Sequence, residues 1–154
     1  MVVAVISIIA STIMFSTQFN RPGERLKKHA TDLSKTMRLL MQEAILQDRN
    51  FALSVQPGSY QVLEYNGEKF LPSDDQFIKK LARQYDYEDE IIIDQNIVKI
   101  EKSKEPKPQI LMLASGEMTV FQWDISDRDN DLRVRLNSSL LGKIRMEGPA
   151  QSLP

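Results

Sequence analysis

The side chains that enzymes most often use for nucleophilic or metal chemistry are scarce in this sequence. It has no cysteine and one histidine, His29, so disulfides, thiol catalysis and multi-histidine zinc sites are excluded. His29 lies between Lys28 and Ala30 on a charged stretch, and we expect it to be solvated. Gly-x-Ser-x-Gly, Ser-x-x-Lys, Walker A and dinucleotide-binding glycine patterns are missing. The sequence therefore predicts no catalytic site, no cofactor and no small-molecule substrate.

An acidic stretch offers the clearest candidate for metal chemistry. Asp127, Asp129 and Asp131 occupy alternating positions, as the first ligands of a calcium loop do. An EF-hand also needs glycine at the sixth position and glutamate at the twelfth, where this sequence has Leu132 and Ser138. The EF-hand is excluded, but a calcium loop of another type remains open. The alternative interpretation is a polar turn between two strands.

Four basic side chains near the C-terminus form a second candidate, for anion contact: Arg133, Arg135, Lys143 and Arg145. Alternate residues of a strand face the same way, so these cations could form one patch for an anion or a nucleic acid. The alternative is that an amphipathic strand simply places polar groups on its outer face. We favour this second interpretation and do not expect nucleic acid to be the partner.

The element that dominates the N-terminus is an uncharged apolar run. Every charged side chain lies after residue 20, and only small hydroxyls interrupt the run before Phe15. As a helix, residues 1–19 would span about 29 Å, which is enough for a bilayer core. We predict a membrane or fibre-core helix over residues 1–20. Its candidate contact residues are Val2, Val3, Val5, Ile6, Ile8, Ile9 and Ile13.

The run differs from two other kinds of apolar segment. A signal peptide would carry a basic region before it, and a core helix would show a polar stripe. Because the run starts at residue 1 without polar residues before it, we expect that the chain begins partway into its natural apolar segment. Proteolytic processing, trimming or a misplaced start codon would each produce this.

A second, amphipathic helix is predicted within residues 21–50. Pro22 and Gly23 indicate a break or kink after the apolar run. From about residue 24 to residue 47, apolar residues then recur at spacings of three and four, which predicts one buried stripe. The stripe consists of Leu26, Ala30, Leu33, Met37, Leu40, Met41, Ala44 and Ile45.

From Phe51 the pattern changes to period two, which predicts strands. Pro57-Gly58 matches a type II turn, and Asn66-Gly67 predicts a type I′ hairpin. Ser73 is the expected N-cap of a short helix within residues 74–85. A further hairpin is expected across Gln95-Asn96.

The C-terminal part predicts four more strands. Residues 109–114 form a nearly all-apolar run that we expect to be a central strand. Phe121, Trp123 and Ile125 share one face of the next strand, and we expect them in the core. The last two strands are predicted at residues 132–136 and 143–147. The predicted fold class is α+β: a long N-terminal helix, apolar then amphipathic, packed on an antiparallel β-sandwich over residues 51–154.

Three stretches of the chain resemble a known family. The opening Met1-Val2-Val3-Ala4-Val5-Ile6-Ser7-Ile8 resembles the body of a pilin-type signal helix. Leu39-Leu40-Met41-Gln42-Glu43-Ala44-Ile45-Leu46 with Phe51-Ala52-Leu53, and Leu111-Met112-Leu113-Ala114-Ser115-Gly116-Glu117-Met118-Thr119, resemble a helix-to-strand junction and a strand–Ser-Gly-Glu–strand motif. All three stretches resemble the corresponding segments of the type II secretion minor pseudopilins, which belong to the protein H/FimT family of type IV pilin-like proteins.

The resemblance implies a structural subunit of the type II secretion pseudopilus, at or near the fibre tip, that helps to export folded proteins across the outer membrane. It implies a pilin-like fold, a single pass through the bacterial inner membrane and a globular domain in the periplasm. Its partners would be the major pseudopilin and the other minor subunits. The family's basic leader, cleavage-site glycine, N-methylated phenylalanine and early glutamate have no counterparts here, so no processing residue is carried over.

Two other functions remain open from the sequence. The first is a minor pilin of a type IV pilus that binds DNA for uptake through the four basic residues Arg133, Arg135, Lys143 and Arg145. The second is a membrane-anchored enzyme or ligand-binding domain, which would need a pocket with converging carboxylates.

Overall fold

The computed structural model of the protein describes residues 21–151, in which two helices and ten strands are present. All strand pairs are antiparallel. In chain order, the elements are α1 Pro22–Gln47, β1 Phe51–Gln56, β2 Ser59–Tyr65, β3 Phe70–Pro72, α2 Gln76–Lys79, β4 Arg83–Gln84, β5 Glu88–Ile93, β6 Asn96–Val98, β7 Ile110–Met112, β8 Gln122–Asp127, β9 Leu132–Ser138 and β10 Ile144–Gln151.

The strands form two sheets that share one core with α1. The first sheet has the order β3-β2-β1-β7, with β4 also paired to β2, and the second has the order β10-β9-β8-β5-β6. Helix α1 contacts strands of both sheets. Leu53, Trp123 and Leu136 illustrate the shared core, since each is fully buried in one cluster with the helix stripe. The predicted α+β class, a long helix packed on antiparallel sheets, is confirmed.

The amphipathic helix is confirmed with bounds close to those predicted. Proline occupies its first turn, where no intrahelical partner for its missing N–H is needed, and the helix ends when Asp48 adopts a left-handed conformation. The stripe is buried from Leu26 to Ala44. Ile45 was predicted to belong to it, but this is wrong, because its side chain is 52% exposed. It lies about 100° around the helix from Ala44, beyond the buried arc.

The first sheet differs from the prediction in two places. Strand β7 was expected to be central, but it pairs with β1 alone among the named strands and ends the sheet. Its apolar residues are buried by the core on one face rather than by strands on both edges. The Asn66-Gly67 turn is also not type I′. Instead the Asn66 side chain accepts the N–H groups of Glu68 and Lys69 in a four-residue loop that joins β2 and β3.

Short-range signals placed two further elements inexactly. Helix α2 has four residues, and Asp75, not Ser73, accepts its first N–H groups. The β5–β6 hairpin turns at Asp94-Gln95, one residue earlier than predicted, because both residues take the left-handed conformation of a type I′ turn. The Pro57-Gly58 turn between β1 and β2 agrees with the prediction, and Gly58 has the positive φ of 70° that a type II turn requires.

Candidate functional site

The predicted membrane or fibre-core residues lie outside the described residues. They are Val2, Val3, Val5, Ile6, Ile8, Ile9 and Ile13. Within residues 21–151, no helix combines the length and the apolar character that crossing a bilayer would require.

The junction between α1 and β1 is fixed by an arginine clamp, which we define as Arg49, Glu64, Ser73 and Asp75. Arg49 donates from Nε and Nη2 to the two carboxylate oxygens of Glu64 at 2.8 and 2.7 Å. Its Nη1 also reaches Asp75 at 3.4 Å, and Ser73 donates to Glu64 at 2.7 Å. The hydrogen bonds from Arg49 hold the pKa of Glu64 below its usual value. The clamp thereby ties the end of α1 to β2 and to the start of α2.

The sequence analysis missed this clamp. Glu64 and Asp75 lie 15 and 26 residues after Arg49 in the sequence, so no helical or strand period links them to it. The only signal in the sequence is that Arg49 falls between an amphipathic helix and a strand. In the structure, its guanidinium also lies 5.0 Å from the centre of the Phe51 ring.

His29 is not solvated, contrary to the prediction. Its ring packs on Tyr85 at 4.5 Å and on Tyr87 at 5.0 Å between ring centroids. Burial lowers the pKa of His29 to about 4, against a smaller opposing effect of Asp32. Its Nε2 atom is buried and has no hydrogen-bond partner among the described residues. The β4–β5 connection covers this flank of α1, and the sequence around His29 carries no sign of that contact.

Next to the His29 ring lies a half-buried carboxylate, Asp89, that the sequence analysis did not single out. Asp89 accepts a hydrogen bond from the Tyr85 hydroxyl at 2.7 Å and from Trp123 Nε1 at 2.8 Å. Burial raises the pKa of Asp89 to about 6, although both hydrogen bonds act in the opposite direction. The period of two in β5 could have indicated it, because Asp89 lies on the same face of the strand as the buried Ile91, while its neighbours Glu88 and Glu90 lie on the other face. We call His29, Tyr85, Asp89 and Trp123 the tyrosine cluster.

The three candidate calcium ligands lie in and beside the β8–β9 turn. Asp127 accepts the main-chain N–H and the side-chain Nδ2 of Asn130 at 3.3 and 2.9 Å. Asp129 is exposed, and Asp131 has a positive φ of 53°. Across residues 21–151, no three acidic, histidine or cysteine side chains are grouped so as to hold a metal ion. The arrangement has the hydrogen bonds of a polar turn.

The four basic candidates are not brought together as one free patch. Arg135 makes a bidentate pair with Asp124 at 2.7 and 2.8 Å, and Arg133 reaches the same carboxylate at 3.6 Å. Asp124 is 5% exposed, so both arginines are committed to a buried acid. Arg145 lies on β10 and pairs with Asn137 of β9. Lys143 is exposed just before β10. The sequence period showed the cations but could not show the acid on the neighbouring strand.

Comparison with known proteins shows what the chain is similar to. The chain is 28% identical over 145 residues to type II secretion system protein H of Pseudomonas aeruginosa, across 90% of this chain and 84% of that protein. This chain is thus similar to protein H along most of its length. No protein-family model matches it.

Solved minor pseudopilins share the fold of this chain. A crystal structure of the minor pseudopilin EpsH from the type II secretion system of Vibrio cholerae has a TM-score of 0.64 at 20% identity, covering 86% of this chain and 99% of that chain. The solution structure of Escherichia coli GspH has a TM-score of 0.65 at 13% identity, covering 88% and 96%. The resemblance to minor pseudopilins that the sequence motifs indicated is confirmed.

Proposed function

We propose that this chain is a minor pseudopilin, a structural subunit that assembles in or near the tip of the type II secretion pseudopilus and helps to export folded proteins across the outer membrane. The observation that carries the proposal is the match to protein H along nine-tenths of the chain. The fold supports it, because a pilin-like helix on antiparallel sheets is found over almost the whole length of EpsH and GspH.

The proposed mechanism is assembly rather than catalysis. The apolar face of α1 is occupied by the two sheets, whereas residues 1–20 immediately before it carry no charge. We propose that residues 1–20 anchor the chain in the bacterial inner membrane and then enter the fibre core. The remainder would stand in the periplasm and contact the major pseudopilin and other minor subunits.

The DNA-binding pilin is not favoured. Two of its four proposed contacts, Arg133 and Arg135, are paired with Asp124. A pair with a buried acid leaves little charge for a phosphate backbone. The relative that matches along most of the chain also carries the name of a type II secretion protein.

The proposed function is tested by deleting the gene in its host and measuring the export of folded periplasmic proteins into the medium. We expect export to stop, and the full chain supplied in trans to restore it. A chain with Ile8→Arg and Ile9→Arg should not restore it, because charges in an apolar segment oppose membrane insertion. A Ser7→Thr chain is the matched control. Undiminished export from the deletion strain would contradict the proposal.

A further inference from the structure

A cleft of about 360 Å³ lies beside the first turns of α1. Its walls come from α1, from the β4–β5 connection, and from the end of β8 with the turn that follows it. The volume is within the range of roughly 300–1,000 Å³ that is usual for small-ligand sites. We call it the α1 cleft. It is lined by one arginine, two tyrosines and three aspartates that could contact a ligand: Arg25, Tyr85, Asp86, Tyr87, Asp127 and Asp129.

The two tyrosine rings of the α1 cleft are held in place by their neighbours. Their centroids are 6.5 Å apart, and their planes are inclined by only 25°. His29 of α1 packs on both rings, and the Tyr85 hydroxyl donates to Asp89 at 2.7 Å. The face of an aromatic ring attracts an organic cation within about 6 Å of the ring centre. The cleft therefore offers a preformed aromatic surface to a cation.

Charges of both signs surround this aromatic surface. Burial raises the pKa of Tyr87, Asp127 raises it further, Arg25 lowers it and Asp86 raises it, so these three charges act at the Tyr87 hydroxyl. Asp86, Asp129 and Arg25 are exposed to solvent. Three carboxylates and one guanidinium give the cleft a formal charge of −2. A ligand that matches both signs carries an ammonium group and an acidic group.

The place of the cleft along the chain indicates the source of such a ligand. Residues 1–20 carry no charge, and Arg21 is the first charged residue. Because charged side chains avoid hydrocarbon, Arg21 marks where the headgroup layer begins if residues 1–20 are a membrane anchor. The Arg25 N–H donates to the Arg21 carbonyl at 3.1 Å, one helical turn further on. That turn advances about 6 Å, and the headgroup layer on each side of a bilayer is about 5–7 Å thick. The α1 cleft is therefore at the level of the lipid headgroups.

We propose that the α1 cleft binds the phosphoethanolamine headgroup of a membrane lipid. The inference rests on the proposed function, which places residues 1–20 in the inner membrane. The ammonium group lies against the two tyrosine rings and donates to Asp86 and Asp129, and the phosphate pairs with Arg25. A headgroup that is only anionic meets the net negative charge of the cleft without an ammonium group to offset it. The cleft therefore discriminates between lipids of one bilayer.

Native mass spectrometry of the full-length chain in detergent tests the site, because it counts the lipid molecules bound to each chain. The chain is titrated separately with dioleoyl phosphatidylethanolamine and with dioleoyl phosphatidylglycerol, which share their acyl chains and their phosphate. We expect an apparent Kd about ten times lower for phosphatidylethanolamine, which corresponds to about 1.4 kcal/mol. Equal Kd values for the two lipids would overturn the inference.

Paired substitutions separate a headgroup site from lipid that merely surrounds the anchor. Asp86→Asn with Asp129→Asn should raise the Kd for phosphatidylethanolamine about tenfold and abolish the preference. Both residues are exposed, so the fold should be kept. The matched control is Asp74→Asn with Asp94→Asn, which removes the same charge from exposed positions outside the cleft and should keep the preference. A preference that survives in the first variant, or is lost in the control, would contradict the site.

The phosphate half of the site has its own variant. Arg25→Gln should weaken both lipids alike, by about threefold, because both carry the phosphate and the ion pair is partly exposed. Free phosphoethanolamine should displace the lipid only at millimolar concentration, since it lacks the acyl chains. Displacement at micromolar concentration would assign the cleft to a soluble ligand and overturn the lipid assignment.

A secretion assay separates this inference from the proposed function. If the gene deletion abolishes export but the chain does not prefer phosphatidylethanolamine, the headgroup site is wrong and the pseudopilin role stands. If export continues without the gene, the proposed function itself is wrong.

Discussion

The arginine clamp and the tyrosine cluster shift the pKa values of two half-buried carboxylates in opposite directions. Glu64 in the clamp accepts hydrogen bonds from the charged guanidinium of Arg49, and these lower its pKa. Asp89 in the cluster has only the neutral donors Tyr85 and Trp123, so burial prevails and raises its pKa to about 6. The two sites differ in burial as well as in partner, because Glu64 stays near the surface with a charged donor, whereas Asp89 is largely removed from water with neutral donors.

His29 makes the cluster differ further from the clamp. Burial lowers the pKa of His29 to about 4, while it raises that of Asp89 to about 6. Between about pH 4 and pH 6, the unfolded chain binds more protons at His29 and fewer at Asp89 than the folded chain does. The contribution of His29 to the free energy of unfolding therefore rises with pH, and the contribution of Asp89 falls. The two effects oppose each other, so the cluster leaves stability nearly independent of pH in this range.

The largest effect is expected from breaking the clamp. Arg49→Met should reduce the free energy of unfolding by about 2 kcal/mol, because it leaves the half-buried carboxylate of Glu64 without its charged hydrogen-bond donor. Urea denaturation of the full chain in detergent, followed by the fluorescence of Trp123, measures this. Arg128→Met is the matched control, since its pair with Glu88 is largely exposed and its removal should cost less than about 0.5 kcal/mol. Similar losses in the two variants would show that the clamp acts as a surface pair.

The next effect is expected from removing the buried charge of the cluster. A raised pKa means that the stability contributed by Asp89 is complete below about pH 4 and is lost as pH rises through about 6. Asp89→Asn should therefore stabilise the chain by about 1–2 kcal/mol at pH 8 and have little effect near pH 4. The same denaturation, repeated across this pH range, measures it. A variant that is equally destabilised at all pH values would show that the carboxylate is needed for its geometry alone.

A smaller effect is expected from the histidine, seen in the pH slope. The lowered pKa means that its contribution is present above about pH 6.5 and is lost as pH falls through about 4. In His29→Gln, only the Asp89 effect remains, so unfolding free energy should fall by about 1 kcal/mol as pH rises from about 4.5 to about 6. The wild-type chain should be nearly flat over this range. A flat profile in the variant as well would show that His29 does not titrate within the cluster.

The clamp and the cluster also mark the limit of what the sequence could predict. Residue periods placed α1 and most strands, because burial of one face leaves a repeating pattern in Leu26, Leu33 and Leu40 and in Trp123 and Ile125. Neither carboxylate site repeats, since each joins residues from elements that meet only after folding. Local turn signals were less reliable for the same reason: Ser73 was the expected N-cap, but its hydroxyl bonds to Glu64, a contact that depends on β2.

A third carboxylate, Asp124, provides the smallest test. It is 5% exposed and combines the burial of Asp89 with the charged partners of Glu64, since Arg133 and Arg135 both reach it. Arg133 is the more distant, at 3.6 Å, so Arg133→Gln should reduce the free energy of unfolding by only about 0.5 kcal/mol. Arg135→Gln is the comparison, because it removes the bidentate pair and should cost more. Equal losses of unfolding free energy in urea denaturation would show that Asp124 depends on the total charge of its two arginine partners. The bidentate geometry of Arg135 would then contribute nothing beyond its charge.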